Sequence, residues 1–377
     1  MISCQRDLFN IPDNISYFNC AYLSPQLIES QKALIKGVNL KSAPWEWTSE
    51  KFFSQVEEVK VLCANLFGEK PDNYALAPSV SYGMNTAARI IEKKLEKGDQ
   101  ILLIDEDFPS NVLTWRRVCK EVGSTILTVK KDEKNNWTSA IIENINPKVK
   151  VVSISSCHWA NGEYIDLESI SKKCKENQCF FIVDATQSLG VNLHLIKKID
   201  PDFLIAAAYK WMLCPYGLAI IYVADKWFNS RPLEETWLAR DNAKNFSKLV
   251  NYSDRYMPGA RKFDMGQTAM PTLLPGSIVA LSQIKRWGIS NISKTLEAIN
   301  NKISNELVSL GFNVIPKNRR VSHILGVKIP KGKNKDYVSN LRKENIYISQ
   351  RGSSLRIAPY LHNNDKDIER LINSLVK

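Results

Sequence analysis

Two apolar runs end in ionisable residues. Cys179-Phe180-Phe181-Ile182-Val183 leads into Asp184, and Phe203-Leu204-Ile205-Ala206-Ala207-Ala208-Tyr209 leads into Lys210, 26 residues after the acid. A short, nearly continuous apolar run reads as a strand buried on both faces of a parallel sheet. Open α/β sheets bind ligands at the carboxyl ends of such strands. An acid and a lysine at two strand tips suit one chemistry. Pyridoxal phosphate (PLP) needs a lysine amine for its Schiff base and an acid beside its pyridine nitrogen. The acid keeps that nitrogen protonated, and the ring then accepts electrons from a substrate carbanion. Taken alone, Lys210 also fits a surface lysine after a strand, and Asp184 fits a helix N-cap.

The surrounding chain must hold those tips in place. Strands are expected over 74–77, 100–104, 124–129 and 150–155, with helices over about 82–95, up to about 122, over 137–144 and over 167–177. The alternation of strand and helix predicts an α/β fold, a mostly parallel sheet with helices on both faces. Residues 217–223 follow Lys210 after only six residues, too few for a helical crossover, so they read as an antiparallel neighbour. Upstream, 26–41 and 49–67 read as helices. The second carries Val56, Val59, Leu62, Cys63 and Leu66 on one stripe. Downstream, 224–275 is irregular, and long helices are expected over about 276–287 and 291–309. The last seventy residues read as strands over 312–315, 323–328, 346–349 and 355–358, with helices over 335–344 and 364–375. That is a small α+β domain. The expected division is a large domain over 17–255 and a small one over 1–16 and 256–377.

Composition narrows the class. The chain has 377 residues, 44% hydrophobic and 24% charged, as a globular enzyme does. No window approaches the ~18 uninterrupted apolar residues of a membrane span, and the start lacks a basic segment followed by an apolar one. Eight cysteines without a CxxC pair and four dispersed histidines read as reduced thiols without a disulfide framework or zinc site, so a cytoplasmic location is expected. The net charge of +12 comes from lysines spread along the chain, with no nucleic-acid module. It reads as a solvated surface with some pull on anionic cofactors and substrates, not as a nucleic-acid face.

Other segments add to the pair. Ser79-Val80-Ser81 opens a helix, where hydroxyls cap the helix or free N–H groups hold a phosphate. Residues 79–85, 108–115, 184–190 (Asp-Ala-Thr-Gln-Ser-Leu-Gly) and Tyr209-Lys210 occur in the order of a known family. So do the closing 354–359 (Ser-Leu-Arg-Ile-Ala-Pro) and 362–368. From about residue 17 to its end, the sequence resembles the class V aminotransferases of PLP fold type I. That group includes cysteine desulfurases, kynureninase and isopenicillin-N epimerase-like enzymes. The resemblance implies a large domain with a mostly parallel seven-stranded sheet, a small C-terminal domain, and a homodimer with shared active sites.

The resemblance also implies roles. Lys210 would form the Schiff base and shuttle the Cα proton. Asp184 would face the pyridine nitrogen and Gln187 the phenolic oxygen. Ser79, the Val80 backbone, Ser81 and Tyr209 would hold the phosphate, and Gln267 and Thr268 would reach the phosphate of a partner subunit. Phe108 fits the aromatic position against the cofactor ring, or plain core. Arg356 would clamp the substrate carboxylate through its planar fork. Trp159 stands where the family often has Asn, and would shape the substrate pocket. Next to it, His158 is a catalytic candidate or an ordinary loop histidine. The family often has Ser at the place of Ala207 and His at the place of Tyr209, so one phosphate donor is lost or replaced.

A cysteine desulfurase needs a nucleophilic cysteine on the loop before the carboxylate-binding arginine. Residues 348–356 (Ile-Ser-Gln-Arg-Gly-Ser-Ser-Leu-Arg) contain none. The sequence therefore predicts a PLP enzyme acting on an amino acid, first an aminotransferase, second a Cα–Cβ or β-eliminating lyase or an epimerase. A non-catalytic binding protein with the same fold is the reading of a different class, and keeping Lys210, Asp184 and Arg356 together argues against it.

Overall fold

Burial on both faces explains why the strands around the two tips read as continuous apolar runs. The computed structural model describes residues 1–132, 135–192, 195–329 and 336–376. In chain order its strands begin with β1 (Ser16–Tyr17), β2 (Tyr74–Ala77), β3 (Gln100–Ile104), β4 (Thr125–Val129), β5 (Val149–Ser155), β6 (Phe180–Asp184), β7 (Phe203–Ala207) and β8 (Ala219–Val223). The last 65 residues add β9 (Asn313–Val314), β10 (Leu325–Lys328), β11 (Ile346–Tyr347), β12 (Ser349–Arg351) and β13 (Ser354–Ile357).

Seven strands form the central sheet in the order β2-β8-β7-β6-β5-β3-β4. β4, β3, β5, β6 and β7 are parallel, and β8 runs antiparallel to β7 and to β2. The short link after Lys210 leaves no room for a crossover helix, so the chain turns straight back into β8. Side chains alternate across this sheet. Leu204 and Ala206 face a core built with the helices Lys51–Phe67, Leu167–Glu176 and Leu274–Trp287. Phe203 and Ile205 face a second core under the helices Val80–Ile91 and Pro109–Val122.

The second sheet, β12-β13-β10-β9, is antiparallel. The helices Ile289–Ser309 and Asp365–Val376 cover it through Ile303, Leu307, Ile368 and Leu371. β1 pairs with β11, Ser16 opposite Ile346, so the start of the chain is stitched to its end. The helix Leu274–Trp287 packs on the helices Ile28–Leu40 and Lys51–Phe67, beside the central sheet.

Several boundaries differ from the sequence reading. The helix expected from about 82 starts at Val80, because the Tyr82 amide donates to Ser79 Oγ at 3.2 Å and Ser79 serves as the cap. The strand expected over 312–315 pairs only at Asn313–Val314. The helix expected over 335–344 is Tyr337–Lys343, and Lys335 lies outside the described residues.

Candidate active site

The carboxyl ends of the parallel strands open into two adjoining chambers. The inner one, about 280 Å³, is walled by Ser79, Ser81, Asp184, Gln187, Tyr209 and Lys210, with Val80, Phe108, Ser155, Trp159 and Thr186 among its other lining residues. The outer one, about 600 Å³, shares Phe108, Trp159, Tyr209, Lys210 and Tyr216 with it and adds Tyr22, Arg351 and Arg356.

Asp184 ends β6 and is buried. Its Oδ1 accepts the Thr186 amide at 3.0 Å. Burial raises its pKa, while hydrogen bonds from Thr186 and the charge of Lys210 oppose the rise. Thr186 Oγ1 in turn accepts the Ala207 amide at 3.1 Å, which ties the loop after β6 to the end of β7. Lys210 follows β7 and is buried, and its pKa falls to about 8. Burial is the first cause and the neighbouring Arg356 guanidinium the second. About a tenth of this amine is then neutral near pH 7, far more than of an exposed lysine, and the neutral form is the one that acts as nucleophile or proton acceptor. Lys210 and Asp184 face one cavity without closing into an ion pair.

Two aromatic rings form the wall between the chambers. Phe108 stands at the start of the helix Pro109–Val122, with its ring centroid 5.7 Å from Lys210 Nζ. Trp159 meets it edge to face, centroids 5.4 Å apart at 87°. A polar network fixes both. Asp107 accepts the Phe108 amide at 2.7 Å, Asn111 Nδ2 at 2.9 Å and the Ser155 hydroxyl. Trp159 Nε1 donates to the Glu106 carbonyl at 2.7 Å.

At the far end of the inner chamber, the helix Val80–Ile91 presents its first turn, whose N–H groups have no partner within the helix. Ser81 Oγ lies 2.9 Å from Ser110 Oγ there. A helix N-terminus flanked by hydroxyls suits a phosphate. At the outer end, Arg356 is 1% exposed. Its Nε donates to Ser349 Oγ at 3.1 Å and its Nη1 to the Trp159 carbonyl at 2.8 Å. Among the described residues no carboxylate lies within ion-pairing distance of it.

The remaining sequence candidates fall in different places. Gln187 lines the inner chamber, but its amide is held by the protein: Nε2 donates to the Ala21 carbonyl at 3.0 Å and Oε1 accepts Trp211 Nε1 at 2.8 Å. Tyr209 lies 4.5 Å from the Tyr216 ring, centroid to centroid. Gln267 is exposed, and Thr268 Oγ1 donates to the Met265 carbonyl at 2.9 Å, neither lining these chambers. His158 stacks on Trp137 at 5.1 Å, outside both chambers, and burial lowers its pKa. Cys157 is buried, and burial pushes its thiol up to about 12, which removes it as a nucleophile.

Sequence reasoning missed Asp107, Ser155, Thr186, Arg351, Tyr22 and Tyr216. Asp107 carried a signal, since it directly precedes Phe108 in a loop at a strand's carboxyl end. Arg351 and Arg356 flank a tight turn, so strand alternation would have put them on one face. Tyr22 and Tyr216 carried none.

The arrangement has the chemistry that PLP requires. An amine with a lowered pKa, a buried acid opposite it, an aromatic wall and an anion-binding helix start all line one cavity, and together they fit that group.

Comparison with known proteins agrees. A family model described as aminotransferase class-V matches residues 43–371. An uncharacterized aminotransferase of Schizosaccharomyces pombe is 25% identical over 97% of this chain and 92% of its own length. A probable cysteine desulfurase of Borreliella burgdorferi is 25% identical over 86% of this chain and 81% of its own. Among solved structures, the cystine C-S lyase C-DES with its product cysteine persulfide superposes with a TM-score of 0.87, at 16% identity, over 97% of this chain and 98% of that one. A cysteine desulfurase of Thermococcus onnurineus gives 0.82 at 17% identity, over 100% and 98%.

Proposed function

The chain belongs to the class-V aminotransferase family of PLP-dependent enzymes acting on amino acids, and from there we propose that it transfers an amino group from an amino acid to a 2-oxo acid. The observation that carries this reading is Lys210. Its amine has a lowered pKa, and it stands between the buried acid Asp184 and Arg356, which has no carboxylate partner among the described residues.

When bound, PLP supplies an aldehyde for amines to condense with and a ring that withdraws electrons from a bond at Cα. Asp184 would hold a proton on the ring nitrogen, and its burial makes that charge interaction strong. Ser79, Ser81 and the Val80 amide would hold the phosphate. The Phe108 and Trp159 rings exclude water from one side of the cavity. Arg356 would orient the amino acid by its carboxylate, and Lys210 would move the Cα proton.

A lyase is the second reading, and likeness to C-DES, named a cystine C-S lyase, favours it. Persulfide chemistry on the desulfurase loop has no support. Residues 349–356 form a tight hairpin without cysteine. We place Gln267 and Thr268 against a second copy of this chain. Gln267 is exposed, and the exposed apolar side chains of Trp45, Val250 and Tyr252 would gain cover in a dimer. Eight free cysteines support a cytoplasmic setting, and among the described residues no helix is long and apolar enough to cross a membrane.

The test is direct. The purified chain should take up PLP with a visible absorbance band, fixed by borohydride and lost in Lys210→Ala. Amino acids are then supplied with and without a 2-oxo acid. Turnover that does not need the 2-oxo acid would replace transamination by the lyase reading.

A further inference from the structure

The outer chamber holds one cation more than an ordinary amino acid can neutralise. Arg356 sits on β13 and Arg351 on β12, joined through Gly352 and Ser353. In this antiparallel pair Ser349 stands opposite Arg356 and Arg351 opposite Ser354. Residues 349 and 351 share a face because strand side chains alternate, and cross-strand partners share it too. Both guanidiniums therefore project from the same face of the hairpin, toward the chamber that both line.

Trp159 packs against both. Its ring centroid lies 5.7 Å from the guanidinium carbon of Arg351 and 5.8 Å from that of Arg356. A cation over an indole is held in direction while its charge stays uncancelled. The hydrogen bonds of both arginines go to neutral acceptors: Arg351 Nη1 to the Gln350 carbonyl at 2.7 Å, and Arg356 to Ser349 and to the Trp159 carbonyl. Two acids border the chamber. The Asp107 carboxylate is already taken by Ser155, Asn111 and the Phe108 amide, and Glu106 forms no ion pair with either guanidinium. Burial lowers the pKa of the Lys210 amine most, and the charges of Arg356 and Arg351 push it in the same direction.

Two partly desolvated guanidiniums with no carboxylate at ion-pairing distance among the described residues cost free energy until anions reach them. One carboxylate satisfies Arg356. We infer that Arg351 is a specificity residue forming a second anion subsite, and that the substrate is an amino acid whose side chain also ends in an acidic group. This deepens the proposed function and rests on its assignment of Arg356 to the α-carboxylate.

The experiment uses the PLP-loaded full chain and two unreactive acids of equal carbon number, succinate with two carboxylates and butyrate with one. Binding is read from the change in the bound cofactor's absorbance and from tryptophan fluorescence, which reports Trp159 among others. Succinate should bind at least about tenfold tighter than butyrate, the effect of one added charge-assisted contact. Glutamate should show the same preference over glutamine, which has the same shape without the charge. Arg351→Gln should abolish the preference by weakening succinate about tenfold more than butyrate, and Arg351→Lys should retain part of it. Equal binding of succinate and butyrate by the wild-type chain overturns the inference. So does a preference that survives Arg351→Gln, or a loss of butyrate binding in that variant, which would assign Arg351 to the α-carboxylate. Should Arg351→Gln not fold, the wild-type ratios and Arg351→Lys decide. A chain without a cofactor band overturns the proposed function and this inference together, whereas a normal band with no discrimination overturns the inference alone.

Discussion

Asp107 and Asp184 are two buried carboxylates linked through Ser155, whose hydroxyl donates to Asp107 and whose backbone lies opposite Asp184 in the β5–β6 ladder. Burial raises Asp107 to about 6 from the ordinary 3.8, against the pull of its hydrogen bonds and with a further push from Asp184.

This makes a stability prediction with a definite sign. A carboxyl whose folded pKa lies above its unfolded value favours folding fully below the unfolded value, and the contribution is lost as pH rises through the folded one. For Asp107 the window runs from about 4 to about 6 and spans on the order of 2–3 kcal/mol. Asp107→Asn should flatten the loss of stability across that window, read as urea midpoints at pH 4 and pH 7 in both proteins. An unchanged pH slope in the variant would mean that Asp107 ionises as an ordinary carboxylate.

The second prediction concerns the lysine amine. In the chain free of cofactor, Lys210 should react with an acylating reagent with a half-point near pH 8, far below an exposed lysine. Arg356→Gln removes a neighbouring cation and should move the half-point up. Asp184→Asn removes a neighbouring anion and should move it down. Mass spectrometry of the Lys210 peptide across pH measures both shifts, and shifts of the opposite sign would show that the charges do not act as the geometry requires.

How far the sequence shows this site depends on the range of the interactions. Asp184 and Lys210 were legible because each ends a run of buried strand residues, a local pattern with a fixed place in an α/β sheet. The antiparallel turn into β8 was legible from the length of a link. Ser79 was legible as a cap, yet the helix begins at Val80, two residues nearer to it than the expected start at about 82. Gln187 shows the limit. Its motif was clear, but its bonds to Ala21 and Trp211 join segments 166 and 24 residues away, and no local pattern encodes them. The same holds for the Asp107 network, which crosses 48 residues to Ser155.

A third prediction tests the support behind the anion end of the cavity. Lys60, 0% exposed, pairs with Asp264 at 2.6 Å, and Asp264 also accepts the Leu76 amide of β2 at 2.7 Å. Removing one member of a buried pair leaves an uncompensated charge and costs about 3–5 kcal/mol, whereas replacing both by apolar residues costs far less. Lys60→Met should therefore destabilise strongly, and Lys60→Met with Asp264→Leu should recover much of the loss, limited by the orphaned Leu76 amide. Chemical denaturation of the single and double variants gives the comparison, and a double variant as unstable as the sum of the singles would contradict it.

The last prediction turns on one close approach. Gly83 lies in the helix Val80–Ile91, over the central sheet. A Cβ placed there would stand 2.8 Å from a methyl of Ile205 and 3.2 Å from Ile221. Ile205 belongs to β7, which leads to Lys210, and the helix carries the Ser79–Ser81 turn, so a methyl group at 83 drives apart the two elements that flank the inner chamber. Alanine is favoured over glycine in a helix interior by about 1 kcal/mol. Overpacking a tight core costs about 1–3 kcal/mol. The clash should equal or exceed the gain, and the displaced helix start should weaken the hold on phosphate. Gly83→Ala is therefore expected to lose up to about 2 kcal/mol in denaturation and to bind PLP about tenfold more weakly, with the titration of Lys210 little changed. If Gly83→Ala instead gained stability and bound PLP as tightly as the wild-type chain, the helix would be free to shift without disturbing the phosphate site, and the contact between Gly83 and Ile205 would not govern the cavity.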